Sequence, residues 1–201
     1  MKRDTTKLIR SGYNAMSSEY LAHRGELKSD KYVRKFLQLL PKNSLVLDLG
    51  CGAGVPIDDL ILKAGHRVSG VDISEEMIKR ARLNCPGGEY QVGDVSKLAS
   101  GEWEVEGIVS MYTMFHIPRN QHEGVLAVIA SYLPKGGPLL ISMGDVEFEG
   151  EHEMYGETVW ASQWGVKKNR ELLERVGMEM MIDEMDCSGG ECHQVMLATK
   201  R

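Results

Sequence analysis

The sequence predicts an α/β fold, a doubly wound and mostly parallel sheet, and three observations predict it. A short apolar run from Ser44 to Leu49 ends in a loop with glycine at every second position, and a helical segment, Val55 to Ala64, follows at once. Strand and helix patterns then alternate as far as Met143, which calls for parallel strands joined by right-handed crossovers. The last two patterned runs, Met178–Met185 and His193–Thr199, alternate as strands about Ser188-Gly189-Gly190 and read as a hairpin.

The 201 residues suffice for one domain, 1–201, with a good core. The chain is 42% hydrophobic and 26% charged, an ordinary globular composition. A net charge of −5 without a basic cluster argues against nucleic acid as a main partner. Met1–Lys7 lacks the apolar core of a secretory leader, and no run is long enough to span a membrane. The expectation is a cytoplasmic, reducing setting with no membrane partner, as a monomer or homodimer. Cys51, Cys85, Cys187 and Cys192 form no C-x-x-C. Cys187, Cys192 and His193 raise the question of a metal. Neighbouring strand residues point to opposite faces and no fourth ligand is placed, so no metal is expected.

Residues 1–40 form an N-terminal helical cap in this reading. Leu8, Ile9 and Tyr13 fall at helical spacing, as do Tyr32, Val33, Phe36, Leu37 and Leu40, before Pro41-Lys42-Asn43 breaks the pattern. Val46 and Leu47 fit a buried parallel strand. Gly50, Gly52 and Gly54 clear Cβ atoms from one side of the turn, so backbone N–H groups can approach a ligand. Residues 67–73 form the second strand, and Ser74 caps a helix over Glu75–Leu83. Glu89–Asp94, Glu106–Tyr112 and Leu139–Met143 are the third to fifth strands; helices are expected over Ser96–Ser100 and Arg119–Leu133. Residues 144–165 break the alternation as an insertion after strand five, first acidic and loop-like, then aromatic. They form either a substrate lid or a surface loop pinned by aromatics. Their acids either attract a cationic substrate or are simply solvated. Lys167–Val176 is the last helix.

Spacing narrows the ligand. A dinucleotide fingerprint, G-x-G-x-x-G, aligned on Gly50 and Gly52 would put its third glycine at Val55. Asp48 lies two residues before the first glycine and repels a pyrophosphate, so a ligand with a cationic amine suits the loop better. Asp72 closes the second strand about twenty residues on, where a ribose-binding carboxylate belongs. An NAD-dependent oxidoreductase is thereby disfavoured.

Asp48-Leu49-Gly50-Cys51-Gly52-Ala53-Gly54 resembles motif I of the class I S-adenosylmethionine-dependent methyltransferases. Gly93-Asp94-Val95 is similar to that family's adenine-reading motif, and the Leu-x-Pro-x-Gly-Gly-x-Leu-Leu-Ile run ending at Ile141 matches its fifth strand. The resemblance covers about residues 8–200. It implies a Rossmann-like seven-stranded mixed sheet in the order 3-2-1-4-5-7-6 with strand 7 antiparallel, and S-adenosyl-L-methionine as cofactor, with S-adenosyl-L-homocysteine as product. The glycine loop with Asp48, then Asp72, Ile73 and Met77, then Asp94 and Val95, would hold that cofactor. Ser110 to His116 would pass beside its sulfonium, with Ser110 and Met111 as cofactor contacts. Tyr13 and Tyr20 match a segment that folds over the cofactor in many members; packing on an amphipathic helix is the alternative. Asp94 serves either adenine or as a helix N-cap. His116-Ile117-Pro118 is similar to a His-Ile-Pro of small-molecule members, so His116 is a base, a substrate contact or a structural histidine. Tyr20, Tyr155 and Trp160 are candidate substrate contacts. Glu106-Gly107 stands where members usually have Phe-Asp. The chain reads Ser110-Met111-Tyr112-Thr113 where amino-methylating nucleic-acid enzymes carry Asn/Asp-Pro-Pro-Tyr/Phe, so the implied acceptor is a small molecule. A non-catalytic cofactor-binding module would carry the same motifs.

Overall fold

In the computed structural model, which describes residues 4–24, 30–188 and 192–201, β1 (Leu45–Leu49) is flanked by β2 (Arg67–Asp72) and β3 (Glu89–Val92) on one side. On its other side lie β4 (Gly107–Ser110) and β5 (Pro138–Gly144). All of these pairings are parallel. Beyond them β8 (Met178–Asp186) and β9 (His193–Lys200) add an antiparallel hairpin, and β9 lies against β5. The order β3-β2-β1-β4-β5-β9-β8 is the expected one, with β9 as the antiparallel strand.

Side-chain alternation explains why the strands read as continuous apolar runs. Leu47, Ile108 and Ile141 point into one core, while Val46, Val109 and Leu140 point into the other. α2 (Asp30–Leu37), α3 (Ile57–Lys63) and α4 (Glu75–Asn84) cover the second face; α5 (His122–Ser131) and α6 (Val166–Arg175) cover the first. Each fully buried Leu or Ile contributes roughly 1.5–3 kcal/mol.

Several expected boundaries move. α3 starts at Ile57 because Pro56 takes the N-cap position. Only a single 3-10 turn, Val95–Lys97, forms where a helix over Ser96–Ser100 was expected. The helix expected over Arg119–Leu133 divides into a 3-10 turn, Arg119–Gln121, and α5.

The larger correction concerns residues 144–165. They form a second sheet, β6 (Phe148–Met154) paired with β7 (Glu157–Gln163). Tyr155 and Gly156, both at positive φ (49° and 77°), make the tight turn between them, the conformation that matches strand twist. Glu149, Glu151 and Glu153 alternate along β6, so their acidity marks a solvated strand face. Val159 of β7 is fully buried against α1 (Thr5–Arg24), where Gly12 leaves room: a Cβ there would lie 2.7 Å from Val159 Cγ1. Arg119 ties the hairpin down. Its guanidinium pairs with Glu147 at 2.8 Å and Glu149 at 2.9 Å and lies over the Trp164 ring.

Ser188 is described, but Gly189 and Gly190 of the expected β8–β9 turn lie outside the described residues. Cys187 and Cys192 on either side are joined in a disulfide, which differs from the reducing setting expected for them. Among the described residues, no helix is long and apolar enough to cross a membrane.

Candidate active site

The carboxyl ends of β1, β2, β3 and β4 open onto a cleft of about 880 Å³, roofed by α1. Gly50 and Gly52 occupy positive φ (80° and 54°). A Cβ on Gly50 would collide with the Thr113 side chain, whereas one on Gly52 would meet nothing within 4 Å. Thus Gly50 permits close packing and Gly52 leaves the cleft open for a ligand.

The loop's amides are largely taken up within the protein. The N–H groups of Gly50 and Cys51 donate to the Val71 carbonyl (2.7 and 3.1 Å), that of Gly52 to Asp72 Oδ2 (2.9 Å), and that of Gly54 to the Cys51 carbonyl (3.0 Å). Among the described residues no lysine or arginine lines the cleft. Both facts disfavour a pyrophosphate.

Asp72 therefore has two roles. Its Oδ1 accepts from Ser74 N–H at 2.8 Å and its Oδ2 from Gly52, so it ties the loop to the start of α4. Each oxygen retains a lone pair for a ribose hydroxyl. Burial raises its pKa, against the bonds from Ser74 and Gly52. α1 is fastened over this point by one face: Arg10 Nε donates to the Ile73 carbonyl (3.2 Å), Asn14 bonds Ser74 (2.6 Å) and Glu75 (2.9 Å), and Arg80 donates to Ser18 (2.6 Å).

Asp48 does not line the cleft. It is buried beneath the loop, beside the fully buried Asp58. Burial, then the charge and hydrogen bond of Asp48, push the Asp58 pKa far up, opposed by the Tyr90 hydroxyl. Two carboxyls this close cannot both ionise readily, so the Asp58 pKa stays raised in the folded state. A raised folded-state pKa stabilises the fold most below the unfolded value of about 4, and that contribution is lost as pH rises towards the folded value. Asp58→Asn removes the titration. Urea unfolding should show its stability advantage over wild type growing by up to about 1.4 kcal/mol per pH unit above pH 4. A gap that does not change with pH would contradict the assignment.

The other expected cofactor residues divide. Tyr13, Ile73, Met77, Val95 and Met111 line the cleft. Asp94 lines it and also caps the 3-10 turn, with Oδ1 accepting from the Ser96 N–H (3.0 Å) and Oγ (2.6 Å), so the cap does not take it out of the wall. Burial raises its pKa, but Ser96 and Lys97 outweigh that and hold it below the usual value. Gly54 packs inward towards Cys85 and Asp58 and is not in the wall. Ser110 is not in the wall either: it is fully buried and donates to the Leu49 carbonyl at 3.1 Å.

A second chamber joins the cleft, and Tyr13, Tyr20, Tyr112 and His116 line both. The hydrogen bonds of His116 fix its tautomer. Nδ1 lies 2.8 Å from the Trp160 carbonyl, which can only accept, so Nδ1 carries the proton. Nε2 therefore accepts from the Tyr13 hydroxyl, 2.6 Å away. Trp160 enters the site through this carbonyl and not through its ring, which is in neither wall. Tyr155 sits at the hairpin turn, against Tyr20 (6.2 Å between centroids) and stacked on His23 (5.2 Å).

Residues 46–137, a little under half of the chain, match a family model described as a methyltransferase domain. A TehB-like S-adenosylmethionine-dependent methyltransferase structure from Corynebacterium glutamicum is 26% identical, with a TM-score of 0.71 over 93% of this chain and 99% of that one. The fold is that of the class I S-adenosylmethionine-dependent methyltransferases. The fold is also that of the magnesium protoporphyrin IX methyltransferase of Synechocystis PCC 6803, at 17% identity and a TM-score of 0.77 over 99% and 98% of the two chains. A trans-aconitate 2-methyltransferase from Paracidovorax citrulli is 30% identical over 122 residues, 60% of this chain and 46% of the relative. A ubiquinone biosynthesis O-methyltransferase from Xanthomonas axonopodis is 29% identical over 110 residues, 52% and 45%. The matched regions span a little under half the length of these curated relatives.

The site also uses residues that the sequence reading did not single out by role. Asn14 bolts α1 to α4, Thr113 packs under Gly50, and Phe115 and His193 form a chamber wall. Tyr112, at φ 61°, lines both spaces.

Proposed function

We propose that the protein moves a methyl group from S-adenosylmethionine to a small-molecule acceptor, leaving S-adenosylhomocysteine. The observation that supports this reading is the junction of cleft and chamber, since Tyr13, Tyr20, Tyr112 and His116 line both. When bound, the cofactor supplies an electrophilic methyl on a sulfonium, and its leaving group is a neutral thioether that needs no acid. Asp72 holds the ribose and Asp94 the adenine amino group. Asp48, buried under the loop, keeps the loop's shape together with Asp58. Tyr13 and His116 handle the acceptor's proton: as the acceptor atom bonds to the methyl carbon, its proton passes to the Tyr13 oxygen and the Tyr13 proton to His116 Nε2. His116 then releases it to water. Much of the rate comes from alignment of acceptor and methyl. α1 and the β6–β7 hairpin close over the two ligands as a lid within the single domain, and their ring contacts through Tyr20 and Tyr155 support this.

Small acceptors accord with relatives named for trans-aconitate and ubiquinone biosynthesis. A non-catalytic binding module would need the cleft but not the chamber or the Tyr13–His116 pair. The test is calorimetric titration with S-adenosylmethionine, S-adenosylhomocysteine and NAD. Micromolar binding of the first two without NAD is expected; NAD binding alone would overturn the reading.

A further inference from the structure

The chamber beyond His116 has a definite chemistry. One wall is aromatic: the Phe115 and His193 rings stack at 5.3 Å and 13°, and Tyr112 meets His193 edge-on at 5.1 Å. Phe148 of the hairpin faces into the same space. Flat aromatic walls favour flat ligands. The charge on the chamber is acidic. Asp145 and Glu147 line it, and no lysine or arginine does so among the described residues. Arg119, which could have bound a carboxylate, is held by Glu147 and Glu149 and lies over Trp164. Asp145 has no ion-pair or hydrogen-bond partner among the described residues.

Resting on the methyltransferase reading, we infer that the acceptor is a planar aromatic or heteroaromatic molecule without net negative charge, and that Asp145 selects against anions. A tricarboxylate would meet Asp145 with no lysine or arginine beside it, and with only the imidazoles of His116, His152 and His193 in the wall. The site thus differs in substrate class from what the names of some relatives indicate.

The test uses the full chain, with S-adenosylhomocysteine titrated first and four probes then titrated into the loaded protein: 2-naphthol, N-methylquinolinium, 2-naphthoate and trans-aconitate. The expected result is binding of the first two, with N-methylquinolinium at least threefold tighter than 2-naphthol. Naphthoate should bind at least tenfold more weakly than 2-naphthol, and trans-aconitate not at all. Asp145→Asn should erase the preference for the cation and leave 2-naphthol unchanged. If naphthoate or trans-aconitate binds as well as 2-naphthol, or no aromatic probe binds the loaded protein, this inference is overturned while the cofactor reading stands. Failure to bind S-adenosylhomocysteine would overturn both.

Discussion

Asp72→Ala is expected to weaken S-adenosylhomocysteine binding by at least about 100-fold. Two charge-assisted bonds to ribose hydroxyls are worth roughly 1.5–3 kcal/mol each, and about 1.4 kcal/mol is tenfold. The same change leaves the Gly52 and Ser74 amides without their acceptor, so the loop loosens and the fold loses roughly 1–3 kcal/mol. Asp72→Asn separates the two effects. Its carbonyl still accepts one amide and its volume is unchanged, so stability should be largely retained while affinity falls. The pH dependence has a defined sign. Burial raises the Asp72 pKa, and the ribose needs the carboxylate, so affinity should fall as the solution is acidified through that raised value. The Asp72→Asn variant should lack this fall. Calorimetry across pH 4–8 on both chains measures it, and equal affinity in wild type and Asp72→Ala would contradict the role.

The second large effect lies at the junction. Tyr13→Phe keeps the ring and removes only the hydroxyl that donates to His116; His116→Ala removes the base. Each should lower kcat by about 100-fold or more, the range for general base catalysis, with the KM for S-adenosylmethionine much less changed. If the two act as one relay, the double variant should be no slower than the slower single one. A purely structural role would give additive losses of stability instead. Unchanged kcat in both variants would show that the acceptor needs no base.

The sheet was legible because both its faces are buried: Val46-Leu47, Ile108-Val109 and Leu139-Leu140-Ile141 leave no alternative to interior strands. Asp72 was legible from its place after the second strand, a consequence of topology alone. Asp48 and Ser110 were misread because sequence position gives proximity to the cleft and not the direction a side chain takes. Asp48 turns under the loop to Asp58, and Ser110 turns to Leu49. The glycine loop was read as a set of donors, but whether an amide is free depends on β2, whose Val71 carbonyl and Asp72 carboxylate lie close by in space and about twenty residues away in the chain. The hairpin over 148–163 was hidden by its glutamates, which resemble a solvated loop until every second residue is compared. His116 stood out by resemblance, but its partner Tyr13 lies 103 residues away, and only the docking of α1 brings them together.

The most direct measurement is a crystal structure of the protein with S-adenosylhomocysteine. The ribose hydroxyls should lie within hydrogen-bond distance of the Asp72 carboxylate, with the sulfur facing the junction between Tyr13 and His116. A ligand bound elsewhere, or one whose sulfur is turned away from the aromatic chamber, would contradict the assignment of cleft and chamber to cofactor and acceptor.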